Sequence, residues 1–221
     1  MSINELFKRG IYILQKEGSG TFLNRLFLYL SNFFYSRGTY YIYEKPLTKD
    51  EKYSFQTKLS NVEVKIISTP EEFEQFVSNG YDFKMMLFKD KLEKGTVAFC
   101  AFINKELAHV SWVAFNEKAK REIDNLPFKI AFQNKEACVG ASFTEPKFRG
   151  KGLYSYIHTC IFPYLAQRGI VKDKFTIEAN NISPQKAHAK FNSTITGKGH
   201  YLKILWWEFW REEPVKELKE V

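Results

Sequence analysis

Cysteine is scarce in this 221-residue chain. Cys100, Cys138 and Cys160 each lie inside an apolar run, and none has C-x-x-C spacing. That pattern argues against a disulfide framework or a thiolate metal site, and it fits free thiols buried in a reducing compartment. No apolar stretch is long enough to span a bilayer, and no cleavable leader is visible, so a cytoplasmic protein is expected. Internal repeats and low-complexity segments are also missing. The basic residues are dispersed and no nucleic-acid-reading motif occurs, so nucleic acid is not an expected partner.

Rings and positive charge are abundant. The chain holds 21 Phe, 12 Tyr and 4 Trp, and its formal net charge is +8. A core built of aromatic side chains is expected, along with an anionic partner, which the charge alone does not identify.

The stretch Ala137 to Gln167, ACVGASFTEPKFRGKGLYSYIHTCIFPYLAQ, narrows the choice. It opens as an apolar run of strand length and turns at Glu145-Pro146-Lys147. After Arg149-Gly150-Lys151-Gly152 it takes up helical spacing, with Leu153, Ile157, Cys160, Ile161 and Tyr164 on one face. A strand that feeds a basic, glycine-bearing turn into a helix makes an anion site. The first helical N–H groups have no partner within the helix, and the glycines let a phosphate approach the backbone. The expected ligand carries a phosphate or pyrophosphate.

Read as R-x-x-G-x-[G/A] after an x-P-x-[FY] turn, these residues resemble the acyl-CoA signature of the GCN5-related N-acetyltransferase superfamily. Pro146, Phe148, Arg149, Gly150 and Gly152 fall in register, and Tyr154 stands where the family has a small residue. The resemblance implies an α/β fold with a mixed central sheet flanked by helices, here carrying an N-terminal helical extension. It also implies acetyl-CoA or another acyl-CoA as co-substrate, an amine acceptor and no metal.

Residues 1–45 read as an aromatic-rich helical extension with Gly18 to Gly20 between two helices and a short strand at Tyr40 to Tyr43. Two readings stay open for it: packing on the domain or on a second subunit, as in a homodimer, or lying at a membrane surface. Residues 46–61 read as a linker, 62–210 as the acyltransferase domain and 211–221 as a charged tail.

Within the domain, Val62 to Ser68 alternates as a strand, and Thr69-Pro70-Glu71-Glu72 is a capping box opening a helix. A helix over Phe83 to Leu92 and a hairpin of Thr96 to Ile103 with Leu107 to Phe115 follow. Glu117 to Asn125 reads as a loop or short helix, Phe128 to Phe132 as a strand, and Glu136 to Phe143 as the central strand with a bulge near Gly140. Pro163 is expected to kink or end the long helix. Lys174 to Ala179 reads as a strand, Ser183-Pro184 as a helix start and Tyr201 to Trp210 as a strand covered on both sides.

After Lys174 to Glu178, the family pattern N-x-x-[AS]-x-x-x-Y-x-K-x-G-F falls on Asn181, Pro184, His188 and Lys190, with His188 in place of the tyrosine. The resemblance therefore implies a cofactor-binding set of Phe143, Thr144, Arg149, Gly150, Lys151, Gly152, Leu153, Tyr154 and Asn181. His188 becomes the candidate general acid, since an imidazole can protonate a departing thiolate. Glu136, thirteen positions before Arg149, is the candidate base, and backbone amides of Gly140 to Thr144 would hold the oxyanion. The implied activity is N-acyl transfer, most simply acetyl transfer, to a primary amine such as an amino sugar. The other reading is a non-catalytic CoA-binding or membrane-peripheral module.

Overall fold

A computed structural model of the chain describes Gly20 and residues 34–51, 53–83 and 88–215. The first helix expected in residues 1–45 lies outside the described residues, as do residues 21–33 of the second, expected over Thr21 to Gly38, and part of the helix expected over Phe83 to Leu92. Tyr35 to Gly38, expected to be helical, belong instead to a strand. The chain forms two compact units, one of Tyr40–Gly199 with Glu212–Val221 and one of Met1–Thr39 with His200–Arg211.

The fold is mixed α/β, with a mostly antiparallel sheet flanked by helices. Its strands are β1 (Tyr35–Pro46), β2 (Val62–Ile67), β3 (Val97–Ile103), β4 (Glu106–Ala114), β5 (Glu136–Thr144), β6 (Lys172–Glu178), β7 (Thr194–Ile204) and β8 (Trp207–Pro214). Their order is β2-β3-β4-β5-β6-β1-β7-β8. The helices are α1 (Pro70–Ser78), α2 (Phe88–Glu93), α3 (Glu117–Ile123), α4 (Leu153–Gln167) and α5 (Ile182–Ala189). No helix among the described residues is long and apolar enough to cross a membrane.

Local chemistry explains most boundaries. Thr69 caps α1 by accepting from the Glu72 N–H at 3.2 Å, while the Glu72 carboxylate returns to the Ser68 N–H at 2.7 Å. Asn104 and Lys105 take positive φ at the β3–β4 turn, as a tight hairpin requires. Nearly every residue of β3 and β4 is buried, so both faces of this hairpin are covered. α4 lays Leu153, Ile157, Ile161, Phe162 and Leu165 on Phe99, Ala101, Val113, Ala137 and Val139. Each such side chain contributes about 1.5–3 kcal/mol when fully buried.

Five further local expectations are corrected. Residues from Phe128 to Ala131 form no strand and lead into a 3-10 turn at Phe132–Asn134. α4 does not end at Pro163 but runs on to Gln167 over the core beneath it, and Gly169 at φ 76° closes it, as its position in the sequence implies. The cap position of α5 is Asn181, so Ser183 and Pro184 sit inside the first turn. Tyr201 to Trp210 is not one strand: β7 ends at Ile204, Leu205 turns at φ 58°, and β8 begins at Trp207 with exposed rings. The strand anticipated at Tyr40 to Tyr43 is longer, and Tyr40 to Pro46 pairs antiparallel with β6. Tyr43 stacks on Phe175 there, at 5.4 Å between ring centroids.

Candidate active site

The parallel pair β5–β6 holds together only at Glu136↔Lys172 and Ala137↔Asp173. Beyond that point the strands part and leave a notch in the sheet. Asp173 sits at its closed end, with Oδ1 accepting from the Val139 N–H at 3.0 Å, so the side chain takes the place of a ladder carbonyl. Its Oδ2 is buried without a partner. Burial pushes the Asp173 carboxyl well above the usual carboxylate range.

On its other side β5 bulges. Val110 faces Phe143 and Trp112 faces Gly140, so Ala141 and Ser142 together oppose Ser111, and Ala141 takes φ 46°. The bulge falls one residue after Gly140. Ala141 and Ser142 are exposed. A polar string runs inward from Ser142: Ser142 Oγ to Ser111 Oγ at 2.7 Å, Ser111 Oγ to the buried His109 Nε2 at 2.9 Å, and His109 Nδ1 to Thr144 Oγ1 at 2.7 Å. Burial, with the nearby His158, lowers the His109 pKa to about 3.

β5 then delivers the basic turn. Pro146–Phe148 makes one 3-10 turn, and Arg149 is extended with its Nε donating to the Thr144 carbonyl at 3.0 Å. Gly150 and Gly152 lie in the left-handed region at φ 71° and 84°. Both glycines and Lys151 are exposed. A Cβ on Gly150 would meet nothing within 4 Å, so the space above this backbone is open. The segment expected to be a linker braces the turn from behind, with the Lys58 N–H and the Thr57 hydroxyl on the Lys151 carbonyl at 2.9 and 3.0 Å. The α4 ladder starts with the Tyr156 N–H on the Gly152 carbonyl, which leaves the amides before it directed outward at the positive end of the helix.

Tyr154 turns inward. Its hydroxyl lies 2.7 Å from His188 Nε2, and its ring packs on His158 at 4.3 Å between centroids. His158 Nδ1–H donates to the Tyr154 carbonyl at 2.8 Å, and burial lowers its pKa to about 4. His188 is buried, not a surface residue of a polar helix. It packs on Phe175 at 4.2 Å, its Nδ1 lies 3.3 Å from Ser193 Oγ, and burial lowers its pKa well below the ordinary histidine value.

The opposite face of β6 carries different chemistry. Side chains alternate along a strand, so Asp173 and Phe175 face α4 and α5 while Lys172, Lys174 and Thr176 face away. Asp124, just past α3, accepts from the Thr176 hydroxyl at 2.8 Å and from the Leu126 N–H at 2.8 Å. A Cβ on Gly140 would lie 3.5 Å from the Ile123 carbonyl. The end of α3 thus meets β5 at Gly140 and β6 at Thr176, spanning the notch where it has opened. Burial raises the Asp124 pKa, and Asp124 with Glu178 raises that of Tyr40 on β1, after the larger effect of burial.

The sequence-predicted residues divide accordingly. Phe143, Thr144, Arg149, Gly150, Lys151, Gly152, Leu153 and Tyr154 form one continuous path from the bulge through the turn into α4. Asn181 is exposed three residues past the end of β6. Tyr154 and His188 come together by direct contact, a pairing the sequence did not disclose. Glu136 lies apart from them at the closed end of the notch, on the face with Lys174. Its Oε2 accepts from the Ala131 N–H at 2.8 Å, and its Oε1 lies 3.6 Å from Lys172. It lines an open cavity of about 470 Å³ with Glu117, Phe128, Ile130 and Lys174. The sequence reading missed Asp173 and Asp124. Asp173 left a signal, an acid in phase with Phe175 and Ile177 on the buried side of a strand, whereas Asp124 left none.

No protein-family model matches the chain, and no curated protein matches it. Solved structures of similar fold include several GCN5-related N-acetyltransferases. A GNAT-family acetyltransferase of Novosphingobium aromaticivorans is 12% identical with a TM-score of 0.48, over 76% of this chain and 66% of that one. One of Colwellia psychrerythraea is 15% identical with a TM-score of 0.47, over 76% of this chain and 55% of that one. A GCN5-related N-acetyltransferase of Sphaerobacter thermophilus is 11% identical with a TM-score of 0.47, over 87% of this chain and 56% of that one. The chain thus spans less than two thirds of the length of each of these structures.

Proposed function

We propose that the unit built on Tyr40–Gly199 is an acyl-CoA-dependent N-acyltransferase, most simply an acetyltransferase, acting on the primary amine of a small molecule. The observation that carries this reading is the parting of β5 from β6 with an exposed, glycine-bearing basic turn at the head of α4 beside it. A diphosphate needs outward amides, room above the backbone and cations, which Gly150 to Tyr154 supply with Arg149 and Lys151. A thioester arm needs a slot between strands. Asp173 keeps that slot open by capping Val139, and its unpartnered Oδ2 suits an amide donor on the arm.

The donor brings an electrophilic carbonyl and a thiol leaving group; the chain's own groups do the rest. Asp124, where α3 spans the notch, takes the proton from the attacking amine, its raised pKa bringing it closer to neutrality. Amides of the bulged segment Gly140 to Thr144 hold the developing oxyanion. Tyr154 donates the proton to the departing sulfur. With its Nε2–H on the Tyr154 oxygen and its Nδ1 accepting from the Ser193 hydroxyl, His188 supports the phenolate that results. Glu136, with Glu117 and Lys174, shapes the cavity through which the acceptor enters. That mixture of carboxylates and a cation suits a polyhydroxylated amine such as an amino sugar. A cytoplasmic location fits a chain that consumes acyl-CoA.

The purified protein mixed with acetyl-CoA and with longer acyl-CoAs, against a panel of amino sugars, polyamines and amino acids, tests this by free-thiol release. Acceptor-dependent release with a matching gain of acyl mass on the amine is expected. CoA binding with no release for any acceptor would reduce the domain to a binding module.

A further inference from the structure

None of the residues assigned above to acyl transfer lies in the smaller unit, whose exposed rings are left to account for. Where β7 turns into β8, Ile204, Leu205, Trp206, Trp207 and Phe209 are all exposed, Trp206 at 77% and Trp207 at 63%. The Leu205 N–H donates to the Phe34 carbonyl at 2.6 Å, so exposed Phe34 and Tyr35 join the same tip. Leu205 and Trp206 form the turn between Ile204 at the end of β7 and Trp207 at the start of β8, so four consecutive exposed apolar residues crowd the projecting end of a hairpin instead of one strand face. A soft, deformable apolar medium can receive such a projecting end as a whole.

The composition matches such a medium. Tryptophan and tyrosine favour the boundary between lipid tails and headgroups, where the ring is buried and its N–H or O–H stays wet. The described part of the unit, Phe34 to Thr39 and His200 to Arg211, holds three cations, Arg37, Lys203 and Arg211, against one anion, Glu208. The whole chain carries a net +8. Cations beside inserted rings draw a protein to anionic headgroups.

We propose that the β7–β8 tip inserts into the interface of an anionic phospholipid bilayer, with Trp206 and Trp207 as the anchors. This does not depend on the acyltransferase reading.

Tryptophan emission reports the tip selectively. Trp112 is buried, and the other three tryptophans, Trp206, Trp207 and Trp210, all lie at the tip or just beyond it. The full chain is mixed with vesicles of phosphatidylcholine alone or with phosphatidylserine, and followed by co-sedimentation, emission wavelength and quenching by brominated lipid. Expected are binding to the anionic vesicles that weakens with salt, a blue shift, and quenching by shallowly brominated chains. The double variant W206A/W207A is expected to lose binding by about tenfold or more while keeping its far-UV spectrum. Three outcomes would overturn the proposal. One is no binding to either vesicle. Another is equal binding by the double variant, which would move the contact to residues 1–33. The last is concentration-dependent self-association that W206A/W207A abolishes in the absence of lipid, which would make the tip a contact between copies of this chain.

Discussion

Three buried histidines should make the larger unit sensitive to mild acid. In the folded protein His109 and His158 titrate near 3 and 4, and His188 well below its ordinary value, each chiefly through burial. In the unfolded chain all three titrate near 6.5. As the pH falls below that value the unfolded chain takes up protons that the folded one refuses, so stability drops. It keeps dropping until the folded values are reached. Between about pH 7 and about pH 5 the loss is about 2 kcal/mol each for His109 and His158, about 4 kcal/mol for the two, with His188 adding in the same direction, a large share of the whole stability of many domains. Asp124 and Asp173 act in the opposite sense, because their raised folded pKa values let the native state bind protons first. Comparing the wild type with His158→Leu removes that contribution from the difference. Urea midpoints at the two pH values should show the variant losing about 2 kcal/mol less than the wild type on acidification. Identical pH dependence in the two proteins would refute the buried, neutral state of His158.

Other expectations concern chemistry. Asp124→Asn should lower kcat by about a hundredfold or more, the size of a lost general base, while Glu136→Gln should act mainly on the acceptor KM. The reverse ranking in steady-state kinetics would return the base to Glu136. Tyr154→Phe should cut kcat by about a hundredfold with little change in the acyl-CoA KM, and most of the loss should vanish with a donor whose thiol is more acidic. Asp173→Ala leaves the Val139 N–H without its acceptor and should cost about 1–3 kcal/mol in urea unfolding, whereas Asp173→Asn keeps the acceptor and should cost less.

Much of the fold could be read from the residues because it is local. The capping box at Thr69, the positive-φ turn at Asn104 and the strand-turn-helix around Arg149 each rest on neighbours in sequence. The bulge was anticipated from Gly140 but centres one residue later, on Ala141, which takes the positive φ itself. What stayed hidden depends on contacts distant in the chain. Tyr154 meets His188 across 34 positions and Asp124 meets Thr176 across 52, and no periodicity encodes either. Tyr201 to Trp210 misled for another reason: an aromatic run looks the same whether a core or a tip receives it.

Binding of CoA to a ¹⁵N-labelled chain, followed residue by residue in amide spectra, shows whether the turn before α4 holds the diphosphate. Saturable shifts at Gly150, Lys151, Gly152, Leu153 and Tyr154, joined by Val139 and Asp173 in the notch and competed by free ADP at the turn alone, are what the account requires. Saturable binding that leaves the amides from Gly150 to Tyr154 unmoved, or no binding at all, would contradict it.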